Sequence, residues 1–135
     1  MTRPFPDNCP PPEAAPKPGR YFRLGRKDLA VGAATTSESW LRPYETRSGK
    51  YYKKHDEPEA HGLSVFGDLE DIRSSLAFSN WFAGKSVAEV NIGEEDGHLR
   101  NTPTAQGQSH HDWWTNPYDL VPVATVIEVL GKGPS

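Results

Sequence analysis

Alternation of apolar and polar residues marks four segments of this chain as strands. Residues 20–26 and 86–92 alternate with a period of two, which is the spacing of side chains on the two faces of a strand. Residues 61–66 form a short apolar run that is typical of a buried strand. Residues 121–130 form the strongest strand segment, and Pro122 suits the first residues of a strand or a sheet edge.

A helical spacing of apolar residues follows the predicted strand at residues 61–66. Leu69, Ile72 and Leu76 fall on one stripe of a helix. Asp68 is placed to act as the N-cap, because its short side chain accepts hydrogen bonds from the free amides of the first turn. The pattern therefore predicts a helix over residues 69–78.

The inward-facing residues of these segments predict the core. We expect most of the packing to come from Val65, Phe66, Leu69, Ile72, Leu76, Val90, Ile92, Val126 and Ile127. If Leu76 is fully buried, its replacement by alanine is expected to cost about 2–5 kcal/mol.

Four strands, one helix and no sustained βαβ alternation predict the fold class. We expect a single small α+β domain with a mostly antiparallel sheet, continuous or split, and one or two short helices. Residues 97–109 are polar and predict a long loop, and residues 40–59 predict a hairpin or flap that turns at Ser48 and Gly49.

The ends of the chain have a different composition. Residues 1–18 contain seven of the thirteen prolines and, apart from Phe5, almost no large apolar side chain. They predict a disordered proline-rich arm that folding does not need. The predicted domain then covers residues 19–131, and residues 132–135 are expected to form a frayed tail.

Charge and cysteine content limit the classes of function. The net charge of −3 and the pI near 5.9 argue against bulk nucleic-acid binding. The basic stretch from Arg42 to Lys54 runs into acidic residues, and we interpret it as a solvated loop. The single cysteine, Cys9, leaves no internal disulfide and favours the cytoplasm. No apolar membrane span is present, and any export would start from the cytoplasm without a signal peptide of the usual kind.

The sequence SHHDWW, residues 109–114, concentrates groups that carry chemistry. In an extended segment the adjacent His110 and His111 point to opposite faces and cannot easily bind one ion, so we expect no metal site. One hypothesis is that the segment caps the edge of the core. The other is that it lines the main pocket, with one histidine and one of Trp113 and Trp114 facing the ligand. We predict the pocket.

Arg23, Ser64 and Glu89 occur, in that order, on three of the predicted strands. This order resembles that of the arginine-type ADP-ribosyltransferase fold. The segments HGLSVFGD and HHDWW also look like two pieces of short toxin domains of that superfamily. The resemblance implies that Arg23 grips the phosphates of NAD, that Ser64 shapes the pocket and that Glu89 helps to activate the acceptor. The predicted catalytic residues are thus Glu89, His110 and His111, and the predicted cofactor-binding residues are Arg23, Ser64, Trp113 and Trp114.

Two functional hypotheses follow from these residues. The first is a small bacterial toxin or effector with an ADP-ribosyltransferase-like fold that binds NAD or a related nucleotide. The alternative is a non-catalytic interaction protein, such as an immunity protein or antitoxin, that presents an aromatic surface patch to a cognate protein. A cleft that holds Arg23, Ser64 and Glu89 together would favour the first hypothesis. Scattering of the three residues around a flat aromatic patch would favour the second.

Overall fold

In the part of the chain that the structure describes, the fold is a six-stranded antiparallel sheet with one short α-helix. A computed structural model describes residues 5, 9–27, 29–42, 45, 58, 61–77, 79–105 and 107–131. The strands are β1 (Gly19–Leu24), β2 (Leu63–Phe66), β3 (Ser86–Ile92), β4 (Gly97–Asn101), β5 (His110–Thr115) and β6 (Ala124–Val129), and the helix is α1 (Leu69–Arg73). Their order in the sheet is β4-β5-β2-β1-β3-β6. The predicted α+β class is confirmed, and the sheet is continuous.

All four predicted strands are present, and two further strands were missed. The segment 86–92 matches β3, while β6 begins at Ala124, after Pro122, which lacks an amide donor for the ladder. The prediction that residues 97–109 form a loop is wrong for β4, which pairs with β5 along its whole length. β4 escapes detection because only Leu99 among its five residues is apolar.

Both faces of the sheet carry a core. On the helix face, Phe22, Phe66 and Val87 pack with Ile72 of α1. On the other face, which we call the Trp40 face, the strands pack around Trp40. That cluster consists of Tyr21, Trp40, Leu63, Val65, Ala88, Val90, Ile92, Leu99, Trp113 and Ala124.

Most of the predicted core is buried. Val65, Phe66, Ile72, Val90, Ile92 and Val126 are all buried, whereas Leu69, Leu76 and Ile127 are only partly buried and pack at the edge of the helix-face cluster. The predicted cost of Leu76→Ala assumed that Leu76 is fully buried, and the structure does not meet that condition. The predicted stripe of apolar residues does face the sheet. Ile72 in its middle is buried, whereas Leu69 and Leu76 at its two ends are partly exposed to solvent.

The helix is capped as predicted and ends early. The Asp68 side chain accepts a hydrogen bond from the Glu70 amide at 2.9 Å. After Arg73 the chain tightens into a 3-10 turn, Ser74–Ala77. The hydroxyls of Ser74 and Ser75 both donate to the carbonyl of Asp71, and this competition with the backbone explains the change of helix type.

The described part of the proline-rich arm packs on the domain. Cys9 is buried, and Ala15 forms an antiparallel bridge to Leu99 on the edge of β4. The Tyr21 hydroxyl donates to the Lys17 carbonyl at 2.9 Å, and the Phe5 ring meets that of Tyr118 edge-on at 4.5 Å. These residues of the arm that was predicted to be disordered thus contact the domain, because bridging to an open edge requires little apolar surface. The boundary at residue 18 stays a prediction.

Other expectations fall partly outside the described residues. The turn at Ser48 and Gly49 and the tail 132–135 lie outside them. The basic stretch was expected to be solvated, but its first residue, Arg42, is buried. No helix in the described ranges is long and apolar enough to cross a membrane.

Candidate functional site

The register of the sheet separates the three residues that were expected to share a cleft. Phe22 pairs with Glu89 of β3 and with Phe66 of β2, so these three side chains share the helix face. Ser64, two residues before Phe66, lies on the same face. Arg23 follows Phe22 and therefore points to the Trp40 face. The structure thus brings Ser64 and Glu89 to one face and Arg23 to the other, and the expected common cleft does not form.

Arg23 is held rigidly by backbone carbonyls. Its guanidinium donates to the carbonyl oxygens of Ser39 at 2.6 Å, Ser64 at 2.8 Å and Leu41 at 3.3 Å. Burial and the charge of Arg42 lower the pKa of Arg23 to about 10. The side chain is therefore positioned and positively charged near neutral pH, in a place where its charge is poorly solvated.

Glu89 is engaged by a neighbouring arginine. The Arg20 Nε lies 2.6 Å from one carboxylate oxygen of Glu89, and a second guanidinium nitrogen donates to the other at 3.2 Å. This fork occupies both oxygens of the carboxylate. The geometry does not support the predicted role of Glu89 in activating an acceptor.

His110 and Ser64, two of the predicted site residues, meet on the helix face. The Ser64 Oγ lies 2.5 Å from the His110 Nε2. The His110 Nδ1 lies 2.8 Å from the carbonyl oxygen of Thr102, at the end of β4. The ring also packs edge-on against Phe66, with centroids 5.1 Å apart.

His111 points to the Trp40 face, so the prediction that the two histidines face opposite ways is confirmed. Its Nδ1–H donates to the Ser109 carbonyl at 2.7 Å, and its ring meets Tyr21 edge-on at 5.5 Å. Burial, the largest effect, lowers the pKa of His111, while the Ser109 bond opposes the shift. Neither His110 nor His111 lines either of the two cavities described below.

The lowered pKa of His111 predicts a loss of stability on acidification. As the pH falls through 6.5, the ordinary value for histidine, the unfolded chain takes up a proton before the native state does. Stability therefore falls from that pH down to the lowered pKa of His111. In His111→Gln this contribution is absent, so the drop in Tm between about pH 7.5 and 5 should be smaller than in the wild type. Equal drops in the two proteins would contradict the assignment.

The predicted stacking role of Trp113 and Trp114 is wrong, because both indoles are only 1% exposed. Trp113 packs edge-on against Trp40 at 5.8 Å. The indole N–H groups donate to the carbonyls of Asp96 and Pro58, at 3.0 and 2.9 Å. Trp113 is buried on the Trp40 face and Trp114 on the helix face, so both tryptophans of β5 serve packing.

A cavity of about 240 Å³ lies where β1 ends and β3 begins. We call it the basic cleft; its lining residues are Arg23, Leu24, Gly25, Arg26, Ser39, Leu41 and Lys85. The sequence predicted only Arg23 among them as a ligand-binding residue. The run RLGRK was a local signal for Arg26, but Lys85 is distant in sequence and joins through the pairing of β1 with β3.

Positive charge accumulates at the basic cleft. Burial, and then the charge of Lys27, lower the pKa of Lys85. The Lys85 ammonium lies 3.8 Å from the centroid of the Trp81 ring, which is 59% exposed. The hydroxyl oxygen of Ser39 is buried and has no hydrogen-bond partner in the described part of the chain. The cleft therefore combines poorly solvated cations with an unused polar group.

A second, larger cavity of about 580 Å³ has the opposite charge. It lies at the acidic turn between β3 and β4 and is lined by Glu94, Glu95, Asp96, Gly97, His98, Asn116 and Pro117. Among the residues whose placement is described, no group of three or more His, Cys, Asp or Glu side chains is arranged to hold a metal ion. The carboxylates of this cavity repel anions.

Comparison with known proteins gives no relative from which a function could be transferred. No family model matches the chain, and no curated protein and no solved structure is significantly similar to it.

Proposed function

We propose that this protein binds the phosphate group of a nucleotide-class ligand, such as NAD or ADP-ribose, in the basic cleft. The observation that carries the proposal is the convergence of Arg23, Arg26 and Lys85 on one cavity, with Lys27 beside it. Guanidinium and ammonium groups are the usual partners of phosphate oxygens in proteins. An anion in the cleft would offset the repulsion between these cations.

Arg23 supports the proposal through its geometry. A guanidinium has five N–H groups, and the three carbonyl bonds fix its plane and direction. An arginine fixed in this way loses little conformational entropy when it binds a phosphate. The buried hydroxyl of Ser39 is a further group that could donate a hydrogen bond to a phosphate oxygen.

The size of the cleft limits what it holds. Pockets for drug-sized molecules have volumes of roughly 300–1,000 Å³, and the cleft is smaller, at about 240 Å³. A phosphate or pyrophosphate fits, while the base and sugars would lie outside. The exposed indole of Trp81, next to Lys85, offers a surface on which a base could stack.

The transferase step is not part of the proposal. Glu89 is paired with Arg20, and Ser64 contacts His110 on the face opposite Arg23. A role as a toxin or effector, and a cytoplasmic location, stay predictions from the sequence.

Exposed valines favour the interaction protein as a second candidate. Val121 and Val123 are 52% and 93% exposed, and they flank Pro122 on the approach to β6. Adjacent exposed apolar side chains favour a protein contact. Such a partner would bind at these valines, away from the lining of the basic cleft.

Binding of phosphate-bearing and phosphate-free ligands tests the proposal. We expect ADP-ribose, NAD and ADP to raise the Tm while adenosine does not. A ligand at a hundredfold over its Kd should stabilise the fold by about 2.7 kcal/mol. Lys85→Ala and Arg26→Ala should each weaken binding about tenfold, the equivalent of one charge-assisted hydrogen bond of roughly 1.4 kcal/mol.

Arg20→Ala is the matched control, because it removes an exposed arginine of the sheet that lies outside the cleft lining. Its affinity should equal that of the wild type. Equal stabilisation by adenosine and ADP, or equal losses in Arg20→Ala and Lys85→Ala, would contradict the proposal.

A further inference from the structure

Ser64 and His110 have the geometry of a nucleophile and its base. The hydroxyl oxygen and the Nε2 nitrogen lie 2.5 Å apart, within the reach required for proton transfer. Ser64 is exposed on the helix face, so a substrate has access to its oxygen. The contact depends on the pairing of β2 with β5, which sets Phe66 opposite His110 and brings Ser64 diagonally to the ring.

The other side of the imidazole fixes its tautomer. The His110 Nδ1 lies 2.8 Å from the Thr102 carbonyl oxygen and 2.9 Å from the Thr102 hydroxyl oxygen. The carbonyl can only accept a hydrogen bond and the hydroxyl can also accept one, so a proton on Nδ1 satisfies both contacts. In the neutral ring Nε2 then carries the lone pair, and it faces the Ser64 hydroxyl. A base oriented by a third group in this way is the arrangement that activates serine nucleophiles.

We propose that Ser64 and His110 form a site that transfers the acyl group of small carboxylic esters. The Ser64 oxygen attacks the ester carbonyl carbon while its proton passes to the His110 Nε2. Collapse of the tetrahedral intermediate breaks the ester C–O bond, and the leaving alkoxide takes that proton from His110. Water then attacks the acyl-serine with His110 as base, which releases the carboxylic acid and restores the hydroxyl.

The surroundings of Ser64 determine the class of substrate. Asp112 pairs with Ser64 across the strands, and Arg100 pairs with Asp112, so all three lie in one row of the helix face. The Arg100 guanidinium lies 3.9 Å from the Asp112 carboxylate. Ser64 is exposed, whereas the side chains of Arg100 and Asp112 are only 21% and 16% exposed. A substrate therefore approaches the serine past partly buried neighbours, which favours a small ester with an unhindered carbonyl.

The experiment uses the full chain with 4-nitrophenyl acetate as the probe. We expect release of 4-nitrophenolate above the spontaneous rate, and peptide mapping by mass spectrometry should find one acetyl group on Ser64. Ser64→Ala and His110→Gln should each lower the rate about 100-fold, since general-base catalysis contributes roughly 10²–10⁴. The control His98→Gln removes an imidazole from β4 on the same face and should keep the wild-type rate.

The mapping of the wild type keeps the proposal testable even if a variant fails to fold. Acetyl groups found on lysines or on His98 but not on Ser64 would overturn it, as would equal rates in folded Ser64→Ala and wild type. The basic cleft lies on the Trp40 side of β1, whereas Ser64 and His110 lie on the helix face. The result of the ligand-binding test at the cleft is therefore independent of the result of the esterase test.

Discussion

Replacement of Trp113 by alanine is expected to lower the free energy of unfolding by about 3–5 kcal/mol. The indole is 1% exposed and packs with Trp40 and Leu99 in the cluster of the Trp40 face. Its N–H also donates to the Asp96 carbonyl at 3.0 Å, but that acceptor keeps the Asn116 amide as a partner. The loss therefore comes mainly from the cavity that the indole leaves behind.

Trp81→Ala is the matched control for this prediction, because the Trp81 ring is 59% exposed. Urea unfolding, followed by circular dichroism, should give a small change for Trp81→Ala and a large one for Trp113→Ala. Equal changes would mean that Trp113 is not buried and that SHHDWW is a surface element after all.

Replacement of Arg42 by methionine is expected to destabilise the domain by about 3 kcal/mol or more, because the His61 carbonyl and the Thr115 hydroxyl each lose a charged donor, at roughly 1–3 kcal/mol each. Arg42 is 4% exposed. Its guanidinium donates to the His61 carbonyl, the Thr115 hydroxyl and the Tyr118 carbonyl. It also lies over the rings of Phe5 and Tyr118, at 4.9 and 4.3 Å. This one side chain connects the arm, β5 and the segment that precedes β2.

The control for Arg42 is Arg20→Met, since the Arg20 side chain is 58% exposed and its pair with Glu89 is a surface contact. Thermal unfolding should show a much lower Tm for Arg42→Met and a Tm close to that of the wild type for Arg20→Met. A wild-type Tm in Arg42→Met would support the original interpretation of Arg42 as part of a solvated loop.

The strands could be predicted where one face of the segment is apolar. β3 has that alternation, and its predicted and observed bounds agree. β4 has the single apolar residue Leu99 and gains its place from β5 on one side and Ala15 on the other. A strand that depends on its neighbours in this way leaves no local pattern to detect.

The expected common cleft of Arg23, Ser64 and Glu89 does not form, because the local sequence pattern does not reveal the register of the sheet. Arg23, Ser64 and Glu89 were correctly placed on strands, but a shift of one residue moves a side chain to the other face. The pairing of Phe22 with Glu89 and Phe66 decided which residues share a face. A different pairing, that of β2 with β5, created the contact of Ser64 with His110, which no spacing motif had indicated.

The burial of both Trp113 and Trp114 could not be predicted from the sequence either. Alternation predicted that Trp113 and Trp114 face opposite ways, and it implied that one of them is open to solvent. In the structure β5 lies between β2 and β4, and both of its faces are covered at Trp113 and Trp114. The exposed tryptophan is Trp81, which lies in a 3-10 turn before β3.

The location of a phosphate-bearing ligand tests the central claim most directly. Amide chemical shifts of the ¹⁵N-labelled protein should be recorded during titration with ADP-ribose. We expect the largest changes at residues 24–26, 39–41 and 85–86, around the basic cleft, and small changes at residues 110–112. Largest changes at residues 110–112, or no changes at any amide of the cleft, would contradict the assignment of the basic cleft as the phosphate site.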